Sequence, residues 1–109
     1  MIPMGPCYRY RAQVLRVIDG DTYVIRVDLG FRIGVDVEVR LHGYNCPELT
    51  AINGREAKAA VEAIVLGKTI LVETYRDVRS FARWVADLYV DGEHLGDHLC
   101  RLGMASVRP

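Results

Sequence analysis

From Val35 to His42 apolar and polar residues alternate without a break, with Val35, Val37, Val39 and Leu41 set against Asp36, Glu38, Arg40 and His42. A period of two puts successive side chains on opposite faces of an extended strand. The valines and Leu41 then face a core, and Arg40 faces the other side. Two further runs rich in aromatic and β-branched residues, 8–17 and 23–27, flank Asp19-Gly20-Asp21, a tight-hairpin signal. Residues 28–34 hold Gly30 and Gly34 and read as a second turn. Three sequential strands joined by short turns imply antiparallel hairpins.

A loop over 43–53 follows, stiffened by Pro47. The spacing then predicts a helix over 54–66. Ala57, Val61, Ile64 and Val65 form its apolar stripe, and Gly67 stops it. Residues 69–75 read as a strand, 76–80 as a polar turn, and 84–90 as a strand closed by Asp91-Gly92. A short helix over 93–102 ends at Gly103, and 104–107 are extended. A partly or fully closed small barrel with helices on its flank accommodates this order and removes exposed strand edges. The whole of 1–109 reads as one domain.

Half of the 109 residues are apolar, and 14 basic residues balance 14 acidic ones. That density of apolar residues argues against disorder. A neutral balance gives no global pull on nucleic acid, but a local arginine cluster is compatible with it. Twelve of the basic residues are arginines, the better bidentate partners of phosphate. Cys7, Cys46 and Cys100 are odd in number and lack C-x-x-C spacing. Free thiols in a reducing compartment fit them better than a disulfide scaffold or a zinc site. The first ten residues lack a leader's apolar stretch, so the expected location is the cytoplasm.

Three pieces can carry chemistry. Asp21 projects a carboxylate from a hairpin turn, where a hard cation can use it. Arg40 ends a strand, and Glu48 stands across a short loop from it. Together they supply a cation for a phosphate and a carboxylate for a water molecule. Arg83 opens the strand at 84–90. Taken singly, each has an ordinary surface explanation.

Together they resemble the staphylococcal nuclease-like (thermonuclease) family. The resemblance runs through Ile18-Asp19-Gly20-Asp21-Thr22, Val39-Arg40-Leu41, Asn45-Cys46-Pro47-Glu48 and Gly54-Arg55-Glu56-Ala57. It continues at Arg83, Leu88-Tyr89-Val90-Asp91-Gly92 and residues 99–105. It implies a mainly β chain with flanking helices (α+β), built on an OB-fold five-stranded antiparallel barrel. It also implies a calcium-dependent nuclease that cuts DNA and RNA with little sequence preference. On that resemblance Asp21, Asn45 and the main-chain carbonyl of Cys46 hold Ca2+. Glu48 activates or orients the attacking water, and Arg40 and Arg83 grip the phosphate. Arg79, Phe81 and Tyr44 are candidate contacts to the substrate.

The chain departs from the family pattern at three points. Asn45 replaces an aspartate, which removes one negative charge from the metal site. Arg79-Ser80-Phe81-Ala82 stands where the family has an Asp, a Tyr and a Gly. No counterpart of the C-terminal helix, with its base-stacking aromatic, appears before Pro109. These departures sustain an alternative, a non-catalytic module of the same fold binding nucleic acid or a protein partner. A plain single-strand binder is a third reading, against which the neutral charge argues. His42 shares the face of Arg40. His94 and His98 stand one helical turn apart, and a solvated helix face is expected for them.

Overall fold

In the computed structural model the alternating stretch is the wall of a barrel. Residues 8–46, 54–80 and 83–107 are described, the side chains of 75–80 and 83 excepted. The strands are β1 (Tyr8–Asp19), β2 (Thr22–Asp28), β3 (Gly34–Leu41), β4 (Tyr44–Asn45), β5 (Thr69–Ser80), β6 (Arg83–Val90), β7 (Glu93–His94) and β8 (Ser106–Val107). Helix α1 (Gly54–Val65) precedes β5, and α2 (Leu95–Arg101) follows β7.

Strands β3, β2, β1, β5 and β6 pair in that order, and β3 then pairs with β6 to close the ring. The barrel and its flanking helices are as expected. Four seams are antiparallel; the closing one, Val39–Leu41 against Trp84–Ala86, is parallel. The chain reverses once through α1 and once at the β5–β6 hairpin, so β6 returns in the direction of β3. β1 serves two partners. Its first half, to Gln13, pairs with β5, and from Arg11 onward it pairs with β2. Register shifts at Val14/Arg16 and Val17/Asp19 bend it between them.

Val14, Val17, Tyr23, Ile25, Val39, Leu41, Val72 and Leu88 fill the barrel. Val61 and Val65 of α1 and Leu95 and Leu99 of α2 join the same cluster. Burying each such side chain contributes about 1.5–3 kcal/mol. Tyr23 is fully buried, and its hydroxyl donates to the Gly20 carbonyl, so its ring belongs to the core.

Three sequence expectations shift. Backbone pairing carries β5 past Tyr75 to Ser80, which faces Arg83; the ladder does not depend on side-chain polarity, which made 76–80 read as a turn. Two residues of the expected 43–53 loop form β4 with β8, a pairing too short to leave a periodic signal. The last helix begins at Leu95, because Glu93 and His94 pair back onto β6. The intervening Asp91 and Gly92 both have positive φ, 53° and 83°, as a two-residue hairpin of this hand requires. Among the described residues no helix is long and apolar enough to cross a membrane.

Candidate active site

Three separate segments meet at the end of β2 and β3 where Thr22 pairs with Arg40. The first is the β1–β2 turn. The Asp21 main-chain N–H donates to Asp19 Oδ1 at 3.1 Å, and the Asp21 carbonyl accepts from the Leu41 N–H at 2.8 Å. These bonds hold the Asp21 side chain in a buried position, 6 % exposed. Its Oδ1 accepts from the Thr22 hydroxyl at 3.2 Å.

The second segment is β3. Arg40 sits in the wall between Thr22 of β2 and Val85 of β6. Its guanidinium is 3.7 Å from Asp21 Oδ2 and donates to Asn45 Oδ1 at 2.8 Å. Its Nε is buried and has no hydrogen-bond partner among the described residues. A buried donor left unpaired costs about 1–3 kcal/mol, and an anion arriving at Arg40 would relieve that cost.

The third segment runs from Tyr44 to Cys46. The Cys46 main-chain N–H donates to Asp21 Oδ2 at 3.1 Å. This close approach explains Gly20. A Cβ there would stand 2.5 Å from the Cys46 Cβ and 2.9 Å from its Sγ. The glycine of the turn is thus needed to let the site loop pack against it.

Asp19 was not singled out in the sequence beyond its turn role, although the repeated carboxylate of Asp-Gly-Asp was visible there. Its pKa is pushed up to about 6 by burial first, then by its hydrogen bond to Asp21 and the charge of that carboxylate. A like-charged carboxylate pair in a half-buried turn is relieved by a cation. The oxygens of Asp19, Asp21 and Asn45 are hard donors suited to calcium. The Cys46 thiol is pushed up to about 12, by burial and then by the Asp21 and Asp19 charges. It therefore stays protonated and is no nucleophile.

Asp21, Arg40, Asn45 and Cys46 are accordingly brought together. Arg83 begins β6 two residues before Val85, the register partner of Arg40; its side chain is outside the described set. Arg79 lies in β5 opposite Trp84, again without a described side chain. Glu48 and Phe81 lie outside the described residues. Tyr44 faces another way: its hydroxyl donates to Asp97, and its ring packs over Gly96 of α2.

A neighbouring polar cluster supports α2. His94 caps the helix, its Nδ1 accepting from the Gly96 N–H at 3.0 Å. Neutral His94 then carries its proton on Nε2, which lies 2.9 Å from Oδ1 of the buried Asp87. His42 Nδ1 is 3.6 Å from the same oxygen. The expected solvated helix face therefore describes His94 poorly, since its ring is held between β6 and the helix start. His98 stands 3.5 Å from Glu93. Among the described residues no group of three or more His, Cys, Asp or Glu could hold a metal ion, so any calcium site here depends on amide and main-chain oxygens as well.

Comparison with known proteins gives this arrangement its context. The family model described as staphylococcal nuclease homologue matches residues 38–109, from Glu38 within β3 onward. The chain belongs to that family. It is 36 % identical over 67 residues to the "Probable staphylococcal-like nuclease CAN1" of Oryza sativa subsp. japonica, covering 62 % of this chain and 20 % of the relative. An "Uncharacterized 38.1 kDa protein" of Capnoides sempervirens is 32 % identical over 89 residues, covering 72 % of this chain and 26 % of the relative. The chain spans about a quarter or less of the length of these relatives.

Proposed function

We propose that this chain is a calcium-dependent nuclease hydrolysing phosphodiester bonds of DNA or RNA with little sequence preference. The observation that carries the reading is the meeting of Asp21, Arg40 and Asn45 from three chain segments, with a buried Arg40 Nε that lacks a partner among the described residues. Family membership supports it.

Asp21, Asn45 and the Cys46 carbonyl would hold the calcium ion, with Asp19 beside them. When bound, the ion supplies positive charge to the phosphate and to the attacking water. Arg40 supplies a fixed cation for the negative charge that gathers on the phosphoryl oxygens. Arg83 grips the same group from its second side, and Glu48 accepts the proton of the attacking water. Preorganised donors need no reorganisation as charge develops, and losing one costs about 3–4 kcal/mol. To free its guanidinium for substrate, Arg40 exchanges its bond to Asn45 Oδ1 for one to phosphate.

That same bond favours a second reading, a non-catalytic barrel in which Arg40 and the uncharged Asn45 satisfy each other. Replacing Glu48 by Gln separates the two. In an enzyme, Glu48→Gln lowers kcat by about a hundredfold or more and leaves stabilisation by calcium with a nucleotide diphosphate in place. A variant cutting as fast as the parent contradicts the role of Glu48. A parent whose thermal midpoint is unmoved by calcium and nucleotide supports the non-catalytic barrel.

A further inference from the structure

The far end of the barrel carries a feature that the nuclease reading does not use. The β2–β3 turn, some seven residues along β2 from Asp21, presents Leu29, Phe31 and Ile33 to solvent, with Phe31 97 % exposed. Phe31 and Arg32 both adopt left-handed backbone, φ 55° and 61°. Non-glycine residues hold that conformation when their surroundings impose it. Here Leu29 and Ile33 close the turn through N–H···O bonds of 2.9 Å (Leu29 N to Ile33 O and Ile33 N to Gly30 O), and Asp28 Oδ1 takes the Gly30 N–H at 2.8 Å. The backbone that carries the aromatic knob is therefore pinned by these bonds, at a standing conformational cost.

A hole lies on the same rim. A cavity of about 430 Å³ opens at the barrel mouth, lined by Tyr8, Tyr10, Leu29, Val35, Val37 and Trp84 among others. Leu29 and Val35 belong both to its wall and to the flanks of the knob. A knob and an apolar hole side by side on one surface are self-complementary. A two-fold axis beside Leu29 would direct each Phe31 toward the other copy's cavity, the isologous arrangement of a symmetric dimer.

We infer that the barrel mouth and the β2–β3 turn form a dimer interface, with Phe31 of each copy seated in the cavity of its partner. Area and charge both point to a second copy. Tyr8, Leu29, Phe31, Ile33, Val35 and Trp84 are two-fifths to almost fully exposed. They offer on the order of 600 Å² of apolar surface, close to the ~800 Å² that each partner gives to a stable interface. The rim carries both signs. Arg26 is paired with Asp36 at 2.8 Å, and Arg11, Arg32 and Asp28 surround a recess on the other side of the turn. Such a rim matches its own copy after a two-fold rotation, and the net charge of zero adds no repulsion. Nucleic acid fits it less well. A strand leaving Arg40 along the outer face of β2 and β3 meets Glu38, Asp36 and Asp28 before the tip, and an anionic lipid surface meets those carboxylates too.

Sedimentation of the purified chain over rising concentration tests this, in the parent, Phe31→Gly and Val35→Arg. Glycine removes the knob and accepts positive φ without strain, so Phe31→Gly keeps or raises the thermal midpoint. The parent is expected to approach twice its chain mass, with a dissociation constant in the micromolar range. Either variant should raise that constant at least tenfold, while cleavage per chain by Phe31→Gly stays at the parental rate. A parent that remains monomeric throughout overturns the inference. So does a dimer unaffected by Phe31→Gly. A monomeric parent whose binding to a single-stranded oligonucleotide or to anionic vesicles is lost in Phe31→Gly overturns it in favour of those partners.

Discussion

Asp19 is the residue whose chemistry differs most from its sequence appearance. A turn aspartate in solvent is ionised well below neutrality, but here burial and Asp21 raise its pKa from 3.8 to about 6. Between those values the folded chain binds more protons than the unfolded one, so stability falls as pH rises through that window and the full penalty applies above about 6. Replacing Asp19 by Asn in the absence of calcium should therefore stabilise the fold at neutral pH by about 1 kcal/mol after solvent screening is allowed for. The two proteins should converge in the acid range below 3.8. Thermal melts over pH, with chelator present, read this directly. Asn45 makes the complementary prediction. Its Oδ1 is bonded to Arg40, and an aspartate there adds charge to the proposed metal donors. Asn45→Asp should tighten calcium binding by roughly tenfold, measurable by calorimetry.

At the scale of elements, the site depends on how closely the β1–β2 turn and the Tyr44–Cys46 segment approach. Gly20→Ala forces a Cβ to within 2.5 Å of the Cys46 Cβ. It should destabilise the fold by about 1–3 kcal/mol and reduce cleavage. Pairing it with Cys46→Gly should recover most of both losses, as a double-mutant cycle of melts and rates will report. The same approach marks the limit of what the sequence discloses. Asp-Gly-Asp was legible as a turn, because turn chemistry is local. That its glycine makes room for a residue 26 positions later is a tertiary fact with no local signature. Alternation located β3 and the face of Arg40, and the apolar stripe located α1 to within a residue. β4 and β8 were not legible, because two-residue pairings carry no periodicity. Nor was the role of His94, whose cap and bond to Asp87 depend on β6 lying beside the start of α2.

For the whole molecule, net charge of zero conceals where the charges stand. The barrel brings Asp21, Arg40 and Asn45 together at one end, and an apolar cavity runs from Leu29 at the β2–β3 turn to Val39 and Trp84 in the wall. Motif order along the chain conveyed the first arrangement. The second was hidden, since Phe31 in a turn and Tyr8 in a strand each read as ordinary residues. The closed β3–β6 seam fixes Arg40 in the wall between two neighbours, which gives it the rigidity that its proposed part in transition-state stabilisation needs. The most direct measurement of that account is the initial rate of cleavage of a fluorescent single-stranded DNA, for the parent and Arg40→Gln, with calcium and with chelator. Calcium-dependent cleavage by the parent, lowered about a hundredfold or more in Arg40→Gln, is the predicted result. No cleavage by the parent at high enzyme concentration with calcium, or equal rates with calcium and with chelator, would contradict it.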